Sequence, residues 1–210
     1  ARLNESGKFA EALPLYDELL GQNHDQPDLL GTIATVILRN PSMSGVAMSL
    51  FHYAIDQYKK RGKRVCAHAR SNESVKQCIR HGIEIIYHAS YVNDETLDLL
   101  EANKDKHFVA PALAWLVTLT NGDAAQHGLT KDVVNKMGYM RELEIAIEAC
   151  KKMRKRGIRV LPGGDYGFAW TPHGTYAKDL EYFVNLLGFS PMETLIAATR
   201  HGGAIFGKPN

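Results

Sequence analysis

The sequence predicts an α/β fold of parallel strands and crossover helices, preceded by an α-helical segment. Residues 1–58 show helical periodicity and no strand-like stretch, whereas the chain after Gly62 alternates four times between a short apolar run and a helical pattern. Such alternation is typical of parallel strands joined by helices. We therefore expect a helical domain over residues 1–58 and an α/β domain over residues 59–210. Four such units amount to half of an eight-stranded barrel or to a small doubly wound sheet.

Short apolar runs bounded by turn residues mark the four strands. They are VCAHA (65–69), IEIIYHAS (83–90), HFVAPAL (107–113) and GIRVLPGGD (157–165). The helices are expected at SNESVKQCIRHG (71–82), NDETLDLLEANKD (93–105), roughly Lys131 to Arg156, Tyr176 to Leu187 and Pro191 to His201. The first two have polar N-cap candidates, Ser71 or Asn72 and Asn93 or Asp94.

The helical segment contains a short repeat. Ala12, Tyr16 and Leu19 recur with the same spacing in a second trio 35 residues further on, formed by Ala47, Phe51 and Ala54. Small and aromatic residues at this spacing let two helices approach closely. The stretch GKFAEALPLYDELL (7–20) resembles the second helix of a tetratricopeptide repeat, whose period is about 34 residues. The alternative is a pair of ordinary amphipathic helices separated by the turn NPSMSG (40–45).

Composition narrows the class of protein. A formal net charge of +2 gives no argument for nucleic acid as a partner. The sequence has no run of 18 apolar residues, so it predicts no membrane span. Cys66, Cys78 and Cys150 are an odd number without a CxxC pair, which favours reduced thiols in a cytoplasmic protein.

Three polar side chains follow three of the predicted strands. His68 ends the first strand, His88 the second and Asp165 the fourth. Since the carboxyl ends of parallel strands share one edge, we expect these groups to converge there. Two imidazoles and a carboxylate suit a divalent metal of the zinc type, and the aspartate could also accept a proton during hydrolysis. One such histidine alone would more often be structural, whereas three groups at matching strand ends favour ligation.

These same segments resemble the amidohydrolase superfamily. VCAHA, IEIIYHAS and LPGGDYGFAWTPHG (161–174), with the tail ATRHGGAIFGKP (198–209), are similar to the branch of imidazolonepropionase-like enzymes and metal-dependent Xaa-Pro dipeptidases. The resemblance implies that the four strands are the fifth to eighth of a TIM-type (β/α)8 barrel. It also implies that His68, His88 and Asp165 bind the metal, most simply zinc, and that Asp165 handles the hydrolytic proton.

The sequence also departs from the pattern of that family. The family's His-x-His pair occurs nowhere in the chain, and only helical sequence precedes His68, so no fourth-strand bridging residue is expected. We therefore expect the chain to hold about half of a metal site. Either it is a fragment or fusion, or a homo-oligomer or a complementing chain completes the barrel.

Weaker candidates surround the expected site. His173 resembles a loop residue near the substrate, while Tyr139 and Arg141, in MGYMREL (137–143), could hold a substrate carboxylate or carbonyl. The alternatives are a surface turn for His173 and a solvated helix start for the other two. Tyr166 and Trp170 are expected to wall the pocket or simply to belong to the core.

Taken together, the sequence predicts a metal-dependent hydrolase of amide or peptide C–N bonds. Its substrates would be small dipeptide-like or cyclic amides. The rival hypothesis is a helical-repeat protein-interaction module with a non-catalytic α/β part. The helical segment supports the rival, although about three repeats are usually needed for a stable array. Bound metal would separate the two hypotheses.

Overall fold

A computed structural model describes residues 26–37 and 44–207, together with seven helical residues scattered between 11 and 22. The chain divides into two compact units, Ala1–Val65 and Cys66–Asn210. The sequence placed this division after residue 58. The later boundary follows from the end of the last helix of the first unit at Lys60, after which a turn leads to the first strand.

The first unit contains helices α1 (Pro27–Ile37) and α2 (Ser44–Lys60), which pack against each other. Its core includes Leu30 from α1 and the repeat alanines Ala47 and Ala54 from α2. Ala12 and Tyr16, the start of the other predicted repeat, lie outside the described residues. The tetratricopeptide-like segment therefore stays a prediction.

The second unit is built on a parallel sheet in the order β1–β2–β3. Its strands are β1 (Cys66–Ser71), β2 (Ile85–Tyr91) and β3 (Phe108–Ala110). Helices α3 (Asn72–Arg80) and α4 (Asp94–Ala102) make the two crossovers. The predicted α/β class with parallel strands is confirmed.

Both crossover helices begin at a side-chain cap. The Ser71 hydroxyl accepts a hydrogen bond from Ser74 N–H, and the Asn93 side chain accepts one from Thr96 N–H. Each cap satisfies a donor that the first helical turn leaves unpaired. The first of these helices starts directly after β1, and two residues separate β2 from the second, so the connections at this edge of the sheet are short.

The prediction of a full fourth strand is wrong. Only Val160 pairs with Val109, as an isolated parallel bridge, through hydrogen bonds from Val109 N–H to Arg159 O and from Leu161 N–H to Val109 O (2.9 and 3.0 Å). The ladder stops because the next donor, to Leu161 O, would be the N–H of residue 111, and Pro111 has none. The half barrel therefore stays a proposal, with three strands and one bridge in the predicted order.

The remaining helices complete the unit. They are α5 (Leu113–Asn121), a 3₁₀ turn (Ala125–His127), α6 (Lys131–Lys136), α7 (Tyr139–Lys155), α8 (Lys178–Asn185), α9 (Pro191–Ile196), a π turn (Ala197–His201) and α10 (Gly202–Ile205). The single long helix predicted from Lys131 is wrong, because Gly138 adopts φ 85° and separates α6 from α7. No helix among the described residues is long and apolar enough to cross a membrane.

The core of the second unit lies between the sheet and its covering helices. Ile86 and Val109 from the strands and Leu97 and Leu100 from α4 are fully buried, and α7 packs against β2. This packing holds the strands in place, because a close-packed interior leaves few voids into which they could shift.

Leu100→Ala should lower the free energy of unfolding by about 2–5 kcal/mol, because it leaves a cavity where a leucine is 0% exposed. The neighbouring Leu99 on the same helix is 38% exposed, so Leu99→Ala should change stability by no more than about 0.5 kcal/mol. Urea denaturation followed by circular dichroism measures both. Equal losses for the two variants would contradict the placement of α4.

Candidate active site

Two histidines meet on neighbouring strands. The prediction that they end their strands is wrong, because each strand runs three residues further, to Ser71 and to Tyr91. His68 on β1 lies next to the pair Ala69–His88, which the parallel register of β1 and β2 brings together. The His68 and His88 ring centroids are 4.2 Å apart, with the ring planes at 63°. The predicted juxtaposition of the two imidazoles is therefore present in the structure.

His88 reaches this position through an unusual backbone. It adopts φ 72°, and Ala89 after it adopts φ 51°, both in the left-handed region. A residue other than glycine pays about 1–3 kcal/mol for such a conformation, which is commonest at functional sites. The turn leaves His88 only 7% exposed.

Burial and neighbouring charge keep His88 neutral. Burial, the largest cause, and the neighbouring His68 and Arg70 together lower its pKa from 6.5 to about 4. The neutral imidazole is the form that binds a metal ion.

Asp165 lies at the end of the fourth strand segment and also has a left-handed backbone, with φ 57°. It lines the same cavity of about 190 Å³ as the two histidines. The cavity is lined by His68, Arg70, His88, Trp115, Leu116, Tyr139, Glu142, Asp165 and Phe168. The sequence-predicted metal ligands are thus gathered around one cavity.

Two imidazoles and a carboxylate have the donor chemistry that zinc prefers. The neutral state of His88 fits a ligand role as well. However, within the part of the chain that the structure describes, no three His, Cys, Asp or Glu side chains are grouped closely enough to hold a metal ion. The ligand roles of His68, His88 and Asp165 therefore stay predictions, with suitable donors but an incomplete set.

An ion pair that the sequence did not reveal forms one wall of the cavity. Arg70 Nε donates to Glu142 Oε1 at 2.9 Å, its Nη2 pairs with Oε2, and Tyr91 hydroxyl donates to Oε2 at 3.2 Å. Arg70 could have been found from the sequence, because it lies two residues after His68 and strand side chains alternate. Nothing in the segment MGYMREL marks Glu142 as a residue of the site.

A second buried carboxylate, Asp179 on α8, lies behind the segment that carries Asp165. Its Oδ2 is 2.7 Å from where a Cβ on Gly164 would lie, so only glycine fits there. Burial raises the pKa of Asp179 to about 6, although hydrogen bonds from Ala114 and Gly163 N–H and from Tyr166 oppose the rise. The glycine pair therefore serves close packing.

The weaker candidates divide between the cavity and the surface. Tyr139 lines the cavity at the start of α7. Arg141 lies outside it, with its side chain 74% exposed and paired with Glu144 at 2.9 Å. His173 also lies outside, where its Nδ1 contacts the Tyr176 hydroxyl at 2.9 Å. The substrate-binding roles of Arg141 and His173 stay predictions that the cavity lining does not support.

Tyr166 and Trp170 line a different cavity, of about 270 Å³, on the other side of the segment after Asp165. Phe168 occupies the place in the candidate site that the sequence analysis had given to them. Strand-like alternation would put these three even-numbered positions on one side. The left-handed backbone of Gly167, with φ 117°, interrupts it between Tyr166 and Phe168.

Parallel strands whose carboxyl ends surround one cavity are the arrangement that α/β enzymes use. No protein-family model matches the chain. By sequence, the chain is 21% identical to the ochratoxinase of Aspergillus niger over 160 residues, which make up 76% of this chain and 31% of that protein.

By structure, the chain is similar to a Xaa-Pro dipeptidase solved with methionine bound in its active site, at 20% identity and a TM-score of 0.63. It is similar to a putative prolidase from Bifidobacterium longum at 25% identity and a TM-score of 0.67. Each match covers 75% of this chain, but only 37% and 39% of the solved chains.

These matches confirm the predicted resemblance to the amidohydrolases. The chain spans about a third of the length of the proteins it matches. Their activities are properties of the whole proteins.

We expect the free energy of unfolding to depend on pH because His88 is neutral in the folded protein. Because its folded pKa of about 4 is below the ordinary 6.5, its contribution is present above pH 6.5 and is lost as the pH falls toward 4. The total is on the order of 3 kcal/mol. Asn tolerates a positive φ, so His88→Asn is the suitable replacement. The difference in the free energy of unfolding between wild type and this variant should shrink as the pH falls through this window.

Urea denaturation at pH 7 and pH 4.5 provides the measurement. His127→Asn, at an exposed position, is the matched control and should show the same difference from wild type at both pH values. A His88→Asn difference that does not change with pH would contradict the buried, neutral imidazole.

Proposed function

We propose that this chain carries part of the active site of a metal-dependent hydrolase that cleaves amide C–N bonds in small dipeptide-like or cyclic amides. The observation that carries the proposal is the convergence of His68, His88 and Asp165 on one cavity. Similarity to a Xaa-Pro dipeptidase, a putative prolidase and an ochratoxinase supports the same class of reaction.

In this proposal His68 and His88 hold a divalent metal ion, most simply zinc, with Asp165 as a further ligand. When bound, such an ion polarises a carbonyl and makes water more acidic. Burial, helped by the nearby His68 and Arg70, keeps His88 unprotonated and hence able to bind the ion. The side chains therefore prepare the site before any substrate arrives.

Asp165 has the second role of general base. The oxygen of water bonds to the amide carbon, the C–N bond breaks, and Asp165 passes the proton of the water to the leaving nitrogen. Its exposed side chain at the cavity edge is accessible to a water molecule and a substrate. Trp115, Tyr139 and Phe168 supply apolar walls that limit the access of further water.

A further part of the proposal concerns how the set of metal ligands is completed. A catalytic zinc usually has three protein ligands and an open position, and the described residues do not form such a group. We propose that a second copy of the chain or a complementing polypeptide contributes to the site. The rival interaction module gains no support, since the proteins that the chain resembles are enzymes.

Zinc titration with an assay for dipeptide hydrolysis tests the function. We expect weak zinc binding by the chain alone, stronger binding with a complementing polypeptide, and hydrolysis that depends on zinc. Asp165→Asn should reduce kcat by roughly 10²–10⁴ because it removes the general base. Asp132→Asn, at an exposed position on α6, is the control and should leave kcat unchanged.

Replacing both histidines, His68→Ala with His88→Ala, should abolish zinc binding while His127→Ala should preserve it. Two outcomes would refute the proposal. One is zinc binding that survives the double replacement. The other is zinc-dependent hydrolysis that is indifferent to Asp165→Asn.

A further inference from the structure

The guanidinium group of Arg70 is presented to the cavity in a fixed orientation. Its Nε and Nη2 atoms pair with the two carboxylate oxygens of Glu142, so the planar group cannot rotate freely. Glu142 is itself held, because its side chain is 2% exposed and Tyr91 donates a hydrogen bond to it. Pairing of this kind fixes the direction of the donors that remain.

Those remaining donors are available to a ligand. Arg70 Nη1 has no hydrogen-bond partner within the described stretches of the chain, and the Arg70 side chain is 31% exposed where it lines the cavity. The Tyr139 ring lies 5.7 Å from Arg70 Cζ and forms an adjacent wall. An Arg with one edge anchored and another edge open suits a planar anion.

Arg70 is the place in the cavity where such an anion would bind. Among the residues that line it, Arg70 alone carries a permanent positive charge. The carboxylates of Glu142 and Asp165 also line the cavity, but Glu142 binds the Nε and Nη2 atoms of Arg70 and Asp165 belongs to a different chain segment. A carboxylate is small enough for a cavity of about 190 Å³ that must also admit the amide group.

We propose that Arg70 determines substrate specificity by binding a carboxylate of the substrate, so that the site takes small amides that carry a free carboxylate. This inference rests on the proposed function, because the carboxylate belongs to the amide substrate proposed above. It assigns to Arg70 the role that the sequence analysis gave to Arg141, which is 74% exposed and paired with Glu144.

The test compares two ligands that differ only in charge, N-acetyl-L-proline and N-acetyl-L-prolinamide. Binding is measured by NMR or calorimetry at pH 7, with no turnover required. Wild type should bind the carboxylate roughly 10- to 100-fold more tightly than the carboxamide, as expected for a charge-assisted pair. Arg70→Gln should bind the two ligands equally and should keep the affinity of wild type for the carboxamide.

Two matched variants make the comparison specific. Arg80→Gln removes an exposed arginine that pairs with Glu73 on α3, and it should keep the full preference for the carboxylate. Arg141→Gln should do the same, and loss of the preference in that variant would overturn the inference in favour of Arg141.

Folding can be separated from binding. Arg70→Gln leaves Glu142 buried without its partner, which is costly. The double variant Arg70→Gln with Glu142→Gln removes both charges and should fold while showing no preference between the ligands. If the double variant prefers the carboxylate, or if wild type binds the two ligands equally, the inference is wrong.

The outcomes also distinguish this inference from the proposed function. Zinc-dependent hydrolysis with no preference for the carboxylate would overturn the role of Arg70 and leave the hydrolase standing. A preference that disappears in Arg70→Gln, in a protein without hydrolytic activity, would support the carboxylate site and reject the hydrolase.

Discussion

The parallel pairing of β1 with β2 is the constraint on which the candidate site depends. Its register places His68 beside Tyr87 and Ala69 beside His88, so alternation alone would put the two imidazoles on opposite faces of the sheet. The left-handed backbone at His88 turns its side chain back, and the two ring centroids lie 4.2 Å apart. A shift of one residue would turn His68 to the opposite face of the sheet. The packing of α7 on β2 and the capped starts of α3 and α4 stabilise that register. The site geometry therefore follows from backbone hydrogen bonds made several residues away from it.

Two buried carboxylates then fix the surroundings of the histidines. Glu142 connects β1 and β2 with α7 through Arg70 and Tyr91, whereas Asp179 lies between α8, the start of α5 and the glycine pair before Asp165. Desolvating a carboxylate is unfavourable, so such groups persist only where they are paired or hydrogen-bonded. Glu142 has an arginine partner. Asp179 has only uncharged donors, and its raised pKa reflects that difference.

The sequence predicted the type and order of the elements better than it predicted where each element ends. Alternating apolar runs identified β1, β2 and β3, and polar caps located the helices that follow the first two. The predicted fourth strand was too long because apolar content does not show where pairing ends, and Pro111 after β3 lacks the N–H that would continue it. Gly138 divided a helix whose periodicity continued across it. Local propensity shows which residues can form an element, whereas hydrogen bonding decides where the element stops.

The site was most predictable where a residue lies on a predicted strand. His68, His88 and Asp165 could be located from strand positions, while Arg141 and Tyr139 were assigned together although they face different directions. On α7 these two are separated by about 200° around the helix axis, at about 100° per residue, so one side chain lines the cavity and the other is solvated. Glu142 lies three residues after Tyr139, a rotation of about 300° around the helix axis, which leaves the two side chains only about 60° apart. Glu142 therefore faces the cavity as Tyr139 does. The helix period thus selects Tyr139 and Glu142 together and excludes Arg141. The tertiary contact that orients α7 is needed before the period can be used, and a single sequence does not provide that contact.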